Sequence, residues 1–429
     1  MKHTLHTISL DGGAQLLAIN TPGARSMQFN TLVRAGWDYI NAKQFELPHL
    51  LEHLAFQGNK QYPSSQEFSF DVEKNGAYMN AHTSEYMIHY DFEASIHDLQ
   101  NITKLACSQI DEPLFSDEAI TAQKQVVTSE LSRKLEDDGN RCGYKTTQIL
   151  KPTLIDFQDR IKTLNVITRD DIESYFNQTH VKENLCFVVA ADFGDDRLQL
   201  LESQLNTFLK SYRTGNKKSI TYNKPKGYKK VVVSQKTKLV TQDTFNFSLI
   251  SNVYEKRAVA VTRIFNVILN GGSSSRLFTL ARDKGLSYGV GTGRGINKDY
   301  SYYEVYDATE PEKALPLFDL CLSQIKDVLN GNITQNDLER GIGFSAGRVE
   351  LAFETPGDLA YWYGPDFSRD EDMFDPNEFV KDLRSVTIND IKTLYGTYIK
   401  DGQWLISLVG NKTSAQKSDY EKIAEKYFG

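Results

Sequence analysis

The chain has 429 residues, enough for two or three ordinary domains that each bury a core. Its 40% hydrophobic and 24% charged residues are typical of a globular protein and exclude a disordered chain. The formal net charge of -7 argues against a general binder of nucleic acid or anionic membranes, because such proteins need a basic face.

The first 20 residues, MKHTLHTISLDGGAQLLAIN, alternate apolar and polar residues as a β-strand does. They lack the basic head and the unbroken apolar stretch of a signal peptide. No apolar run approaches the ~18 residues that a membrane helix needs. The four cysteines are scattered without a CxxC pair, which predicts buried thiols in a reducing compartment. We therefore expect a cytoplasmic protein without nucleic-acid or membrane partners.

The segment PHLLEHLAFQG, residues 48–58, predicts a short helix that carries two histidines. Pro48 suits the first turn of a helix, where its missing amide hydrogen is not needed. Residues four apart lie on one helix face, so His49 and His53 can point at one metal ion. Glu52 projects close to the same face and can take a proton from water. The HxxEH spacing is the inverzincin signature, although three fixed positions in five also arise by chance.

A long helix is predicted over residues 116–138, with acidic residues at its start. In that helix Ile120 and Val127 belong to an apolar stripe, and Glu130 lies at the edge of the buried side. A glutamate on a helix is most often simply exposed. Only the histidine pair suggests that Glu130 is the third protein ligand of a zinc ion that keeps one position open.

An internal repeat links the two halves of the chain. VITRDDIESYFNQTHVKENLCFVVAADF, residues 166–193, aligns without a gap with SVTINDIKTLYGTYIKDGQWLISLVGN, residues 385–411. Each copy reads as a threonine that caps a helix, the helix, a polar turn and an apolar strand. Short matches of this kind also occur by chance, but the second copy closes the chain as the first closes the front half.

These patterns predict an α+β fold with two similar, duplicated domains. Each would be an antiparallel-rich sheet with helices packed on one face. We expect an N-terminal domain over 1–212 that carries the zinc site. A basic linker that contains Gly and Pro would follow over 213–228, before a C-terminal domain over 229–429 that lacks the site.

Together these segments resemble the pitrilysin, insulysin and mitochondrial processing peptidase family of zinc metallopeptidases over nearly the whole chain. HLLEHLAFQG is similar to the family's HxxEH helix, and VVTSEL puts Glu130 at its third zinc ligand. Residues 75–92 resemble the edge strand beside the metal. NGGSSSRLFTLARDKGLSYGVG, residues 270–291, resembles the family's Gly-Gly…Ser-Arg-Leu-Phe segment with its following Arg and Tyr. The length matches the half-length bacterial type.

The resemblance implies a zinc endopeptidase with one Zn²⁺ per chain, held by His49, His53 and Glu130. Glu52 would be the catalytic residue, activating a water on the metal as general base. One departure is Gln123, which stands where the family usually has a second glutamate, seven residues before the zinc-binding one. A neutral amide there can still hydrogen-bond but contributes no charge.

The resemblance also assigns substrate contacts and partners. Asn80 and Ala81 would pair with the backbone of extended, unfolded peptides, while Arg282 and Tyr288 would anchor substrate. The interval between Arg282 and Tyr288 is one residue shorter than usual, so an exposed helix charge and a half-buried strand residue are the alternative readings. The half-length type implies a chamber formed by two chains, most economically a homodimer. The alternatives are a heterodimer with a related chain, in which this chain is active only with that partner, or a non-catalytic subunit.

Overall fold

The computed structural model describes residues 2–151, 153–194, 196–222, 224, 230–235, 241–252, 254–399, 403–410 and 416–429. The strands are β1 Thr4–Ser9, β2 Gln15–Asn20, β3 Ser26–Val33, β4 Tyr78–Thr83, β5 Ile88–Ser95, β6 Leu185–Ala191, β7 Lys230–Gln235, β8 Asp243–Ser251, β9 Gly291–Ile296, β10 Ser301–Thr309 and β11 Trp404–Val409. Of the predicted linker, residues 223 and 225–228 lie outside the described part of the chain.

Helices account for most of the remaining described chain. They are α1 Leu47–Leu54, α2 Ser65–Glu73, α3 Leu99–Gln109, α4 Asp117–Glu136, α5 Asp138–Leu150, α6 Phe157–Val166, α7 Arg169–Thr179, α8 Arg197–Ser211, α9 Lys256–Asn270, α10 Arg276–Asp283, α11 Pro311–Leu329, α12 Gln335–Leu351, α13 Pro356–Ser368, α14 Pro376–Arg384, α15 Ile388–Ile399 and α16 Lys417–Phe428. Short 3-10 turns occur at Asp11–Gly13, Trp37–Tyr39, Ala42–Gln44, Ile96–Asp98 and Lys182–Asn184.

Contacts between residues group the chain into two compact units. The first contains the residues up to Ser132, Ile155–Ile220 and Ala352–Phe374. The second contains Arg133–Leu154, Thr221–Leu351 and the residues from Asp375 onward. Each unit therefore takes one helix from the other half of the sequence: α13 belongs to the first unit and α5 to the second. The boundaries at 212 and 229, which follow the order of the sequence, stay a prediction.

The first unit is built on a six-stranded sheet in the order β1-β2-β6-β3-β5-β4. Only β2 and β6 run parallel, and the other neighbours in this sheet are antiparallel. The central strands β3 and β6 are almost entirely buried, whereas β4 alternates between exposed and partly buried residues. Within the described part of the chain β4 pairs only with β5, so it forms one edge of the sheet and its other side has no strand partner there.

The second unit repeats this arrangement with the order β7-β11-β8-β10-β9. Its one parallel pair, β7 with β11, corresponds to β2 with β6, so β9 is the counterpart of β4. The two repeat copies become α7–β6 and α15–β11. In each, a threonine and an aspartate three residues later cap the helix reciprocally: Thr168 with Asp171, and Thr387 with Asp390. The predicted α+β class with two similar, mostly antiparallel sheets is confirmed.

In the first unit, α13 and the end of α7 lie on opposite faces of the sheet. The strand register puts Leu32 and Val188 on one face, where α13 packs against β3 and β6. Gly364 of α13 faces this side of the sheet, and a Cβ built there would lie 3.6 Å from Val188 Cγ2. Tyr90 points to the other face, where its hydroxyl lies 3.2 Å from Nε2 of His180 at the end of α7.

The second unit uses α5 in the same way. Thr146 of α5 lies 3.3 Å from Asn246 on one face of the sheet, from Oγ1 to Oδ1. The neighbouring residues of β8, Phe245 and Phe247, point to the opposite face and contact Phe318 of α11 edge to face. All four cysteines are free and buried, as predicted. Across the described helices, none combines the length and apolarity needed to cross a bilayer.

Candidate metal centre

Helix α1 presents the two histidines because its other residues form an apolar face. Pro48 occupies the first turn, and Leu47, Leu50, Leu51 and Leu54 are buried beneath the helix. This packing fixes the rotation of α1 about its axis. His49 and His53, one turn apart, therefore share the opposite, partly exposed side, with ring centroids 5.0 Å apart.

Helix α4 brings Glu130 to the histidine pair, although Glu130 is 77 positions after His53 in the sequence. Oε2 of Glu130 lies 3.4 Å from Nε2 of His49 and 3.9 Å from Nε2 of His53. One ligand atom from each of the three residues falls within 4.8 Å of the others. Ligand atoms of a tetrahedral zinc with bonds near 2.1 Å lie about 3.4 Å apart, so the spacing fits such an ion.

Two further side chains orient the imidazole rings. Nδ1 of His49 donates to Oε2 of Glu46 over 2.9 Å, and Nδ1 of His53 donates to Oε1 of Gln123 over 3.1 Å. Each Nε2 is then left to face Glu130, which is the nitrogen that a metal would need. The amide of Gln123 thus accepts a hydrogen bond from His53, as expected for a neutral side chain at this position.

The negative charges of Glu46, Glu52 and Glu130 favour a cation between the ligand atoms. Burial lowers the pKa of His49, but hydrogen bonds to Glu130 and Glu46 and the charge of Glu52 outweigh it and raise the pKa to about 9. His49 therefore holds a proton against Glu130 at neutral pH when no metal is bound. A divalent cation that replaces this proton satisfies the same acceptors, so the donor set fits zinc.

Glu46 is a fully buried carboxylate, yet it is ionised. Burial raises its pKa, but hydrogen bonds and charges from His49 and Arg160 hold the pKa below its usual value. Arg160 of α6 donates through Nε to the second carboxylate oxygen, Oε1. The guanidinium also lies over the rings of Phe45 and Phe157. Both oxygens of Glu46 are therefore partnered.

Glu52 lies on α1 between the histidines and is 8% exposed. Its Oε2 accepts a hydrogen bond of 2.5 Å from the hydroxyl of Thr83, the last residue of β4. The contact joins the candidate general base to the edge strand. Asn80 and Ala81, predicted to pair with substrate, lie on the same strand with its free side available.

Arg282 and Tyr288 belong to the second unit and contact each other. Arg282 lies in the last turn of α10, and its guanidinium carbon is 4.6 Å from the centroid of the Tyr288 ring. Tyr288 precedes β9 and is 81% exposed, which is unusual for a tyrosine. An exposed, preassembled cation–aromatic pair is available to a ligand.

Sequence reasoning missed Glu46, Arg160 and Thr83. Glu46 stands three residues before His49, the spacing of neighbours on a helix, and this spacing was a usable signal. Arg160 is separated from Glu46 by 114 positions, and no local pattern joins them. Thr83 belongs to the segment over 75–92, but its contact with Glu52 depends on the packing of α1 against β4.

Two family models match successive parts of the chain. Residues 16–148 match the family model described as Insulinase (Peptidase family M16), and residues 167–343 match the one described as Peptidase M16 inactive domain. The candidate metal ligands all lie in the first match. Arg282 and Tyr288 lie in the second.

Individual relatives are similar over most of the chain or over part of it. An uncharacterized zinc protease of Rickettsia felis is 21% identical over 399 residues, covering 91% of this chain and 94% of its own. The beta subunit of the mouse mitochondrial-processing peptidase is 27% identical over 200 residues, 45% of this chain and 39% of the subunit. These names and the family support a peptidase function and imply zinc as the metal.

Solved structures share the fold over 95% of this chain. A protease from Helicobacter pylori superimposes with a TM-score of 0.84 at 17% identity, with all of that chain covered. A peptidase M16 inactive domain from Pseudomonas fluorescens gives 0.81 at 15% identity, with 98% of that chain covered. With two family models matched in order along one two-unit chain, the protein belongs to peptidase family M16.

Proposed function

We propose that the chain is a zinc-dependent endopeptidase that hydrolyses peptide bonds in unstructured peptides bound in extended form. The observation that carries the proposal is the convergence of His49, His53 and Glu130 within 4.8 Å, with the buried carboxylate of Glu52 on the same helix. These three residues would hold one Zn²⁺ per chain. When bound, zinc acts as a Lewis acid toward the scissile carbonyl and the attacking water.

Glu52 would act as the general base and then as the proton donor to the leaving amine. Its position supports this role because Thr83 fixes one carboxylate oxygen and leaves the other for a proton. The free edge of β4 would bind the substrate as an added strand, through backbone hydrogen bonds at Asn80 and Ala81. Such pairing is compatible with many side chains, which suits varied unfolded peptides.

We extend the proposal to a homodimer in which the metal site of one chain works with Arg282 and Tyr288 of the other. The exposure of Tyr288 and its contact with Arg282 support an anchoring role. The name of the mitochondrial relative, a peptidase subunit, supports assembly with a second chain. Gln123 favours the alternative of a partner-dependent or non-catalytic subunit, since it removes a charge beside the site.

The decisive experiment compares the wild type with Glu52→Gln on quenched, unstructured peptides at matched zinc content. We expect one zinc per chain in both proteins and a loss of about 10²–10⁴-fold in kcat for the variant. Glu73→Gln, which neutralises an exposed glutamate of α2, is the control. Equal cleavage by the wild type and Glu52→Gln would refute the mechanism. Zinc without cleavage by the wild type would favour the partner-dependent alternative.

A further inference from the structure

The two histidines of the metal centre are oriented by acceptors of different charge. His49 donates to a carboxylate, Glu46, whereas His53 donates to a neutral amide, Gln123. Both distances are normal for hydrogen bonds, 2.9 Å and 3.1 Å, so the difference lies in charge and not in geometry. An ionised acceptor polarises the imidazole more strongly and makes Nε2 a better electron donor.

The placement of Glu46 is not explained by the helix it precedes. Glu46 occupies the N-cap position of α1, where a short side chain usually accepts a backbone hydrogen bond, and it makes no such bond. Its carboxylate reaches one turn further to His49 instead. Arg160 takes the other oxygen, so the order Arg160–Glu46–His49 is a continuous chain of partnered groups.

Fold stability does not account for this arrangement either. Removing a carboxylate and a guanidinium from water is unfavourable, and a well-packed apolar pair is often as stable as a buried ion pair. Glu46 is fully buried and Arg160 is 12% exposed at its side chain. The pair therefore holds a negative charge at one defined place, beside the Nδ1 atom of His49.

We propose that Glu46, held by Arg160, is the positioning residue of the metal centre. Its negative charge makes Nε2 of His49 a stronger metal ligand, whereas the neutral Gln123 cannot do the same for Nε2 of His53. The inference rests on zinc binding by the site that the proposed function uses, but it does not depend on peptide cleavage. Glu46 does not touch the reacting atoms and is not a catalytic residue. Its effect is on how tightly the three ligands hold a divalent cation.

The test moves the charge from one histidine to the other. Zinc affinity is measured by competition with a chelator at constant pH for the wild type, Glu46→Gln, Gln123→Glu and the double variant. We expect Glu46→Gln to weaken zinc binding about 10–100-fold, the range measured for partners of metal-ligating histidines. Gln123→Glu added to Glu46→Gln is expected to restore most of the loss, because the carboxylate is returned to the site through His53. Glu73→Gln is the control for loss of one negative charge.

Thermal unfolding of the metal-free proteins separates positioning from folding. A purely structural role predicts that Glu46→Gln lowers the metal-free unfolding temperature. It also predicts that adding Gln123→Glu restores neither this temperature nor the zinc affinity; this result would overturn the proposal. Wild-type zinc affinity in Glu46→Gln would overturn it as well. If the wild type binds zinc and cleaves no peptide, the proposed function fails while the affinity series still tests this inference.

Discussion

The hydroxyl of Thr83 donates to the carboxylate of Glu52 over 2.5 Å and so joins the edge strand β4 to the metal-site helix α1. Hydrogen bonds to charged groups are stronger than neutral ones, and they fix direction as well as distance. A strand that pairs with β4 is thereby brought into register with Glu52. Under the proposed function, Thr83 would therefore link the position of the substrate strand to that of the general base.

Replacing Thr83 by Val removes this hydroxyl while keeping the branched shape. We expect kcat to fall by about tenfold, since a hydrogen bond to a charged group contributes on the order of 1.5 kcal/mol. Thr83→Ser, which keeps the hydroxyl, is expected to retain most of the rate. Steady-state kinetics at equal zinc content check this, and wild-type kcat in Thr83→Val would remove Thr83 from the mechanism.

The homodimer proposal predicts complementation between two inactive chains. Glu52→Gln lacks the base, and the double variant Arg282→Ala/Tyr288→Phe lacks the anchoring pair. Random exchange of equal amounts gives half mixed dimers, each with one complete site out of two, so activity is expected to recover to about a quarter of the wild type. Recovery requires prior exchange of chains, which a tag on one variant can report.

Absence of recovery in verified mixed dimers of two inactive variants would show that each chain uses its own Arg282 and Tyr288. If neither residue contributes, the double variant is active before any exchange. Measuring KM and kcat of the double variant separately distinguishes these outcomes. A residue that anchors substrate raises KM when it is removed. Unchanged kinetics would exclude the pair from substrate binding.

The buried imidazole of His180 predicts a loss of stability in acid. Burial, with a smaller contribution from the charge of Arg213, lowers the pKa of His180 to about 3 in the folded chain, from about 6.5 when unfolded. Between these values the unfolded chain binds more protons. The contribution of His180 to the free energy of unfolding is therefore fully present above pH 6.5. It falls by about 1.4 kcal/mol per pH unit between pH 6.5 and about pH 3.

Denaturant unfolding at pH 7.5 and pH 5.0 measures this loss. His180→Gln is expected to be less stable at both values, since it loses the ring that stacks on Phe176. The decrease between the two pH values is expected to be smaller by about 2 kcal/mol in the variant, from the 1.5 units below 6.5. An equal decrease in both proteins would assign the acid loss to other groups.

Gly364 offers a test of how α13 packs on its sheet. A Cβ there would meet Val188 at 3.6 Å and Leu32 at 3.9 Å, which are ordinary contacts. Gly364→Ala is therefore expected to stabilise the protein by up to about 1 kcal/mol, the helix-propensity difference. Gly364→Leu is expected to destabilise it by about 1–3 kcal/mol through overpacking. The unfolding temperatures check both signs.

The local part of the metal centre could be predicted from sequence because it depends on one helical turn. His49, Glu52 and His53 occupy α1 as the HxxEH spacing requires, and the apolar residues between them fix its buried side. Glu130 was selected from the other glutamates of α4 because the histidine pair needs a third ligand and because the family resemblance places one there; α4 by itself identifies only the edge of its buried side.

The rest of the metal centre, and the assignment of helices to the two units, depend on contacts between residues far apart in the sequence. Arg160 reaches Glu46 from α6, and the amphipathic pattern of α6 says nothing about which buried carboxylate it meets. The repeat could be predicted because the caps Thr168–Asp171 and Thr387–Asp390 are local. The assignment of α13 and α5 to units could not, since periodicity shows that a helix has an apolar face but not which sheet covers it.

Because α13, from the back half of the sequence, belongs to the first unit, the front half of the chain alone lacks a helix that covers its sheet. A fragment that stops at residue 212 would expose the sheet face around Leu32 and Val188 to water, inviting aggregation. During synthesis this face stays uncovered until residues 352–374 have emerged, long after the metal ligands. The unit that carries the candidate metal site therefore completes its fold only after residues 352–374 have left the ribosome.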